Sequence, residues 1–155
     1  MTLRADDIDS LMGVMAAAFD PMFGEAWTRR QVEDALIIGN CSYVLMDIAG
    51  RTPERDNPAA GFFLSRAGFE EEELLLLAVD PACRRQGLGR NLLNRLMHDA
   101  RGRGAKRLLL EMRRGNPASS LYQECGFCSI GVRPNYYRTR VGKSIDAITF
   151  ALDLN

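Results

Sequence analysis

Glu71-Glu-Glu-Leu-Leu-Leu-Leu-Ala-Val-Asp-Pro-Ala-Cys-Arg-Arg-Gln-Gly-Leu-Gly-Arg90 is the stretch that decides the fold. Glu71 to Val79 reads as a strand that stops at Asp80-Pro81, because proline offers no backbone donor for further pairing. Arg84-Arg-Gln-Gly-Leu-Gly89 then opens a helix that continues to about Arg103, with Leu88, Leu92, Leu93, Leu96, Met97 and Ala100 on one face. A strand that runs into a glycine turn and a helix gathers unpaired N–H groups and the positive end of the helix dipole at one spot, which suits phosphate. Glycine lets the backbone touch phosphate oxygens, and Arg84, Arg85 and Arg90 can add charge-assisted bonds. Taken alone, the pattern also describes a tight turn with exposed arginines, so the flanking sequence has to decide.

Downstream, Gly102 and Gly104 end the helix, Arg107 to Met112 reads as a strand, and Asn116-Pro117 caps a short helix to Cys125 that Gly126 stops. Strands from Phe127 to Val132 and from Ile145 to Leu154 close the sheet. Upstream, a short strand from Thr2 to Arg4 leads into a helix from about Ile8 to Phe19, with Ile8, Leu11, Met12, Met15 and Phe19 at helical spacing. After the broken segment Asp20 to Trp27, Thr28-Arg-Arg-Gln31 fits a capping box for a second helix buried through Val32, Ala35 and Leu36. Strands at about Ser42 to Ile48 and Ala60 to Ala67 are joined by a proline-bearing, charged and exposed loop from Gly50 to Ala59. Only the part after residue 70 alternates strand and helix, and no repeat or linker interrupts the chain.

With 155 residues, the chain has the size of one domain, and residues 1–155 are read as such. Apolar residues make up 46% and charged residues 26%, which argues against disorder or a disulfide scaffold. Twenty basic side chains balance twenty acidic ones, so no global field collects nucleic acid or an anionic membrane. The first residues lack a basic segment followed by an apolar stretch, so export is not expected. The longest apolar runs fall short of the roughly 20 residues that span a bilayer. Cys125-Gly-Phe-Cys128 is the only tight cysteine pair, and with one histidine in the chain a four-ligand zinc site is not expected. Reduced thiols and a cytoplasmic compartment are the consistent reading.

Two nucleotide-binding patterns compete for the glycine turn. A dinucleotide unit would also place an acidic residue about 20 positions on, where Glu111 stands at a strand end, but Leu92 replaces the third glycine of G-x-G-x-x-G. A P-loop is excluded because no Gly-Lys-Ser or Gly-Lys-Thr closes the turn.

The segment Val79 to Arg90 resembles the acetyl-CoA loop of the GNAT superfamily of N-acetyltransferases, whose Q/R-x-x-G-x-G/A signature is met by Arg84, Gly87 and Gly89. The run Leu110 to Phe127 resembles the second half of that fold, with its Asn, its Tyr and the closing Gly-Phe. Leu-Glu-x-Arg at 110–113, Asn116, Leu121-Tyr122, Arg-Pro-Asn-Tyr-Tyr137 and Asp146-Ala-Ile148 are most similar to the RimI-type branch, which acetylates the N-terminal alanine of a small-subunit ribosomal protein. Gly115 stands where that branch usually has serine.

The resemblance implies an α+β GNAT fold, a mixed and mostly antiparallel sheet of about seven strands flanked by about four helices. It implies that backbone groups of Leu77, Ala78 and Val79 pair with the pantetheine arm of acetyl-CoA, that the turn of Arg84, Arg85, Gln86, Gly87, Leu88, Gly89 and Arg90 holds the pyrophosphate, and that Asn116 binds the arm further along. No metal is implied. The acceptor is a protein N-terminus; nucleic acid and membrane are not expected as partners, and nothing in the residues sets an oligomeric state. Amine attack on a thioester needs an uncharged nucleophile and a proton for the departing sulfur. A peptide α-amino group has a reference pKa of about 7.7 to 8.0, so its base need not be strong. Glu111 can take that proton directly or through water, or can be a strand-end carboxylate paired with Arg113 or Arg107. Tyr122, six residues after Asn116, can protonate the thiolate or serve as a core tyrosine.

Other candidates are weaker. His98 lies off the apolar stripe and reads as a surface residue. Glu70 to Glu73 is either a solvated edge that discourages aggregation or an acidic wall for a cationic peptide. Trp27, Tyr136 and Tyr137 fall in segments that border the acceptor groove of the branch, with packing roles equally open. Three alternatives stay open: a small-amine or lysine acceptor on the same fold, a non-catalytic acetyl-CoA-binding module, and a dinucleotide module that ignores coenzyme A.

Overall fold

The computed structural model describes residues 5–154, so the strand expected from Thr2 to Arg4 lies outside the described residues. Four α-helices and six strands are seen among them. In chain order they are α1 (Ala5–Ala18), α2 (Arg29–Ile38), β1 (Cys41–Met46), β2 (Gly61–Ala67), β3 (Glu71–Val79), α3 (Leu88–Gly102), β4 (Arg107–Arg113), α4 (Ser119–Glu124), β5 (Cys128–Arg138) and β6 (Ser144–Asp153). The sheet order is β1-β2-β3-β4-β6-β5, and only β3 and β4 run parallel. This is the expected mixed, mostly antiparallel sheet, with six described strands against about seven expected.

The sheet is buried on both faces around β2 and β3, where two apolar clusters line it, while β5 stays largely exposed. α3 and α4 cover one face through Leu88, Leu92, Leu93, Leu96 and Tyr122, which meet Phe63, Leu108, Leu110, Met112 and Phe150. α1 and α2 cover the other through Leu11, Met15 and Val32, against Phe62, Leu64, Leu76 and Ala78. The expected capping box of α2 is present: Thr28 accepts from the Gln31 backbone at 3.2 Å and Gln31 from the Thr28 backbone at 2.7 Å.

β3 carries the irregularity that shapes the site. Its register against β2 passes from Leu64↔Leu76 to Ser65↔Leu74, which leaves Leu75 as an extra residue. Such a bulge bends its strand and breaks the two-residue alternation. Leu74 therefore joins the α3 side, Leu75 and Leu76 both face the α1 side, and Leu77 and Val79 return to the α3 side. The parallel pairing with β4 stops at the same place: it covers Glu71↔Arg107 to Leu74↔Leu110 and goes no further. Beyond that point β3 and β4 no longer pair, and the gap between their facing edges is the candidate cleft.

At the closed end of this pair, the Glu70 to Glu73 run is neutralised residue by residue. Glu70 meets Lys106 at 3.0 Å, Glu71 meets Arg107 at 4.0 Å, Glu72 meets Arg103 at 2.6 Å and Glu73 meets Arg66 at 2.7 Å. It is a set of ion pairs, so the acidic-wall reading is dropped.

Three boundaries differ from the sequence reading. β1 ends at Met46 rather than at about Ile48, because Asp47 organises the entry to the exposed 50s loop: its carboxylate accepts from the backbone of Ala49 and Arg51 at 2.9 Å. The short helix starts at Ser119 rather than at Asn116, because Asn116 to Ala118 form a turn first. β5 runs on to Arg138 through a wide bulge between Arg133↔Ala147 and Tyr137↔Ile145, where Asn135 takes a positive φ of 56°. The expected end was Val132.

Candidate active site

The cleft has a backbone wall and a side-chain wall. On the first, Leu76 to Val79 pair with β2 along one edge, while the edge toward β4 has no strand partner among the described residues. Leu77, Ala78 and Val79 thus combine core side chains with free main-chain groups. Asp80 then accepts from the Ala82 backbone at 2.9 Å and fixes a 3₁₀ turn at Pro81–Cys83. Arg85 and Gly87 follow with φ of 65° and 77°, which lifts the chain into α3. Gly87 caps α3 without a side-chain bond, and the first intrahelical acceptor is its own carbonyl, bonded by the Asn91 N–H at 3.0 Å. The N–H groups of Leu88, Gly89 and Arg90 consequently have no intrahelical acceptor. No atom lies within 4 Å of where a Gly87 Cβ would stand, so the approach is open. Gly89 serves packing, since a Cβ there would come 2.9 Å from Leu121 Cδ2 of α4.

The basic residues of the turn divide their tasks. Arg90 donates to Glu124 at 2.8 Å, which ties α3 to α4 and leaves its backbone N–H as its contribution to the turn. Arg84 reaches the Ala18 carbonyl at 3.4 Å, and Arg85 and Gln86 are exposed. Asn116 accepts from the Ala118 N–H at 2.9 Å and builds the entry to α4.

The second wall comes from β4, β5 and the α1–α2 segment. Glu111 sits just past the last β3–β4 pair, on the face opposite Leu110 and Met112. Its Oε1 meets Arg133 at 3.0 Å, while its Oε2 is buried with no hydrogen-bond partner. The expected structural partners, Arg113 or Arg107, are not the ones it uses: Arg113 is held by Glu25 at 3.2 Å, and Arg107 lies 4.0 Å from Glu71 with its own Nε buried and unpartnered. A buried acceptor without a partner is costly and uncommon, and it marks a place where a donor belongs.

Tyr122 is 7% exposed, in edge-to-face contact with Phe127 at 5.8 Å. Burial, with the Glu25 charge added, raises its pKa well above the usual value near 10. Tyr137 is pushed up to about 12 by burial, then by Glu25 and Glu111, against a smaller opposing effect of Arg113. Both phenols therefore stay protonated. His98 is exposed on α3, as expected for a surface residue.

Residues 13–127 match the acetyltransferase (GNAT) family. The chain belongs to that family. It is 41% identical over 97 residues to the [ribosomal protein bS18]-alanine N-acetyltransferase of Escherichia coli strain K12, covering 62% of this chain and 65% of that one. The match to the enzyme of the same name from Salmonella typhimurium is 40% over 101 residues, 64% of this chain and 68% of that one. The chain thus matches slightly less than two thirds of the E. coli relative's length. Superposition is more extensive: the crystal structure of the ribosomal-protein-S18-alanine N-acetyltransferase from E. coli covers 100% of this chain and 92% of its own at a TM-score of 0.82, with 28% identity.

One residue at this GNAT site escaped the sequence reading, and two others were named there without the partners they take. Glu25 lies in the broken segment after α1, where no periodicity gave it a face. Arg113 was expected only as a structural partner of Glu111, and Arg133 entered only through the Arg-Pro-Asn-Tyr-Tyr137 run. The alternation of β4 carried a usable signal, since Glu111 and Arg113 are two apart and must share a face.

Proposed function

We propose that this chain is an acetyl-CoA-dependent protein N-terminal acetyltransferase that acts on the N-terminal alanine of a small-subunit ribosomal protein. Direct transfer in a ternary complex in the cytoplasm is the form of the reaction we favour. The names carried by its E. coli and Salmonella relatives support the acceptor. The observation that carries the chemistry is the buried, unpartnered Oε2 of Glu111 at the mouth of the β3–β4 cleft.

The residues fit acetyl-CoA on their own terms. The free edge of Leu77 to Val79 offers main-chain groups to an amide-bearing arm. The unpaired N–H groups of Leu88 to Arg90 above an open Gly87 suit a pyrophosphate. When bound, the cosubstrate supplies a thioester to which an uncharged amine can add. Glu111 Oε2 takes the proton of the acceptor amine, and Arg133 steadies the same carboxylate through Oε1. Tyr122 gives a proton to the departing sulfur, a proton that its raised pKa keeps on the phenol until the thiolate forms. No cysteine need be acylated. The free thiols nearest α4 are Cys125, whose pKa burial raises, and the exposed Cys128.

The test is incubation with acetyl-CoA and a peptide that has a free N-terminal alanine and an internal lysine, beside its N-blocked form. Mass spectrometry should find one acetyl group on the α-amine of the free peptide and none on the blocked one. Acetylation of the blocked peptide alone rejects the N-terminal acceptor.

A further inference from the structure

Glu111 and Arg113 project from the same face of β4, and Arg113, Ala147 and Arg133 form one cross-strand row through β4, β6 and β5. Two arginines thus share a sheet face with Glu111, and Arg133 is the one that pairs with it. Glu111 is 22% exposed and Arg133 59%, so this pair sits at the rim. Its route over β6 is open because Ala147, the β6 residue opposite Arg133, is small, as is Gly131 beside it on β5.

Arg113 is the closer threat to the base. It is two residues away on the same strand face, and at 14% exposure its charge is poorly served by water. Glu25, 15% exposed, holds its Nε at 3.2 Å, and the Phe23 ring lies 3.6 Å beneath its guanidinium carbon. The α1–α2 segment therefore supplies both an anion and an aromatic face that keep Arg113 turned away. A buried ion pair is seldom a net source of stability, which leaves a positional role to explain it.

We propose that Glu25 is a positioning residue that holds Arg113 off Glu111 and so keeps Oε2 of the base open to the acceptor amine. This rests on the reading of Glu111 as the base. Without Glu25, Arg113 is an uncompensated buried cation whose neighbouring carboxylate is Glu111. It swings onto Oε2 and occupies the site of the amine proton.

The experiment compares Glu25→Met with the double variant Glu25→Met/Arg113→Met, measuring kcat and KM for the acceptor peptide and acetyl-CoA affinity by calorimetry. Glu25→Met should lower kcat by about 10²-fold, the low end for loss of a general base, with acetyl-CoA affinity unchanged. The double variant replaces a buried ion pair by apolar groups of similar size, a tolerated exchange, and should regain most of the lost turnover. Wild-type kcat in Glu25→Met overturns the proposal. A folded double variant as slow as the single one also overturns it, because Glu25 would then act on the reaction itself. If Glu25→Met does not fold, the double variant decides by the same criterion. Glu111→Gln separates the two levels: wild-type turnover there removes the base itself, whereas an inactive Glu111→Gln beside an unaffected Glu25→Met removes only the role of Glu25.

Discussion

Arg103, at the end of α3, donates two hydrogen bonds to the buried carboxylate of Glu72, at 2.8 and 2.6 Å, and Ser65 donates a third at 2.7 Å. These bonds bolt the closed end of the β3–β4 pair to the helix that begins at the glycine turn. Glu72 also raises the pKa of Arg103, chiefly through the hydrogen bond.

Arg103→Ala leaves Glu72 charged, buried and held only by Ser65. Removing one partner of a buried pair is strongly destabilising, and with Arg103 partly solvated we expect a loss of about 2–3 kcal/mol. Urea denaturation should show it as a lower midpoint with an unchanged slope.

Tyr122→Phe removes the proposed acid and keeps the ring against Phe127. Turnover should fall about 10²-fold or more, with acetyl-CoA affinity unaffected. Calorimetry and steady-state kinetics on one preparation read both, and unchanged turnover rejects the role.

The raised pKa values of Tyr122 and Tyr137 also predict a stability profile. In the unfolded chain both phenols lose their protons near pH 10, whereas in the native protein Tyr137 holds its proton to about 12 and Tyr122 beyond that. Above about pH 10 the native state therefore binds more protons, so stability is intact below that pH and declines as pH rises. Thermal melts between pH 8 and 11 should show a falling Tm, and Tyr122→Phe should flatten the fall.

Gly87→Ala forces an L-residue to a φ of 77° with no neighbour in the way. The strain is about 1–2 kcal/mol, and the methyl group stands over the proposed phosphate site. We expect weaker acetyl-CoA binding along with the modest loss of stability. Calorimetry and denaturation on the same variant measure the two effects.

The backbone half of the site could be read from the sequence because its logic is local. Gly87 and Gly89, the Asp80-Pro81 stop and the leucine stripe of α3 act within a few residues of one another. Glu111 and Tyr122 were legible by motif, but the environment of each was not. The pairing of Glu111 with Arg133, and of Arg113 with Glu25, depends on strands and a loop that come together only in the folded sheet. For the same reason the Glu70 to Glu73 run looked like an electrostatic surface: its partners Arg66, Arg103, Lys106 and Arg107 belong to three other elements. The Leu75 bulge left no trace in a run of four identical residues.

That run cannot lose or gain a letter. Because Leu75 inverts the pattern midway, deleting any one of Leu74 to Leu77 would straighten the strand and restore a single alternation from Glu72 onward. The two ribbons would then zip shut past Leu110, and the slot between them would vanish while the composition stayed almost the same. A protein engineer who wants a wider or narrower slot should edit the kink and leave the glycines alone.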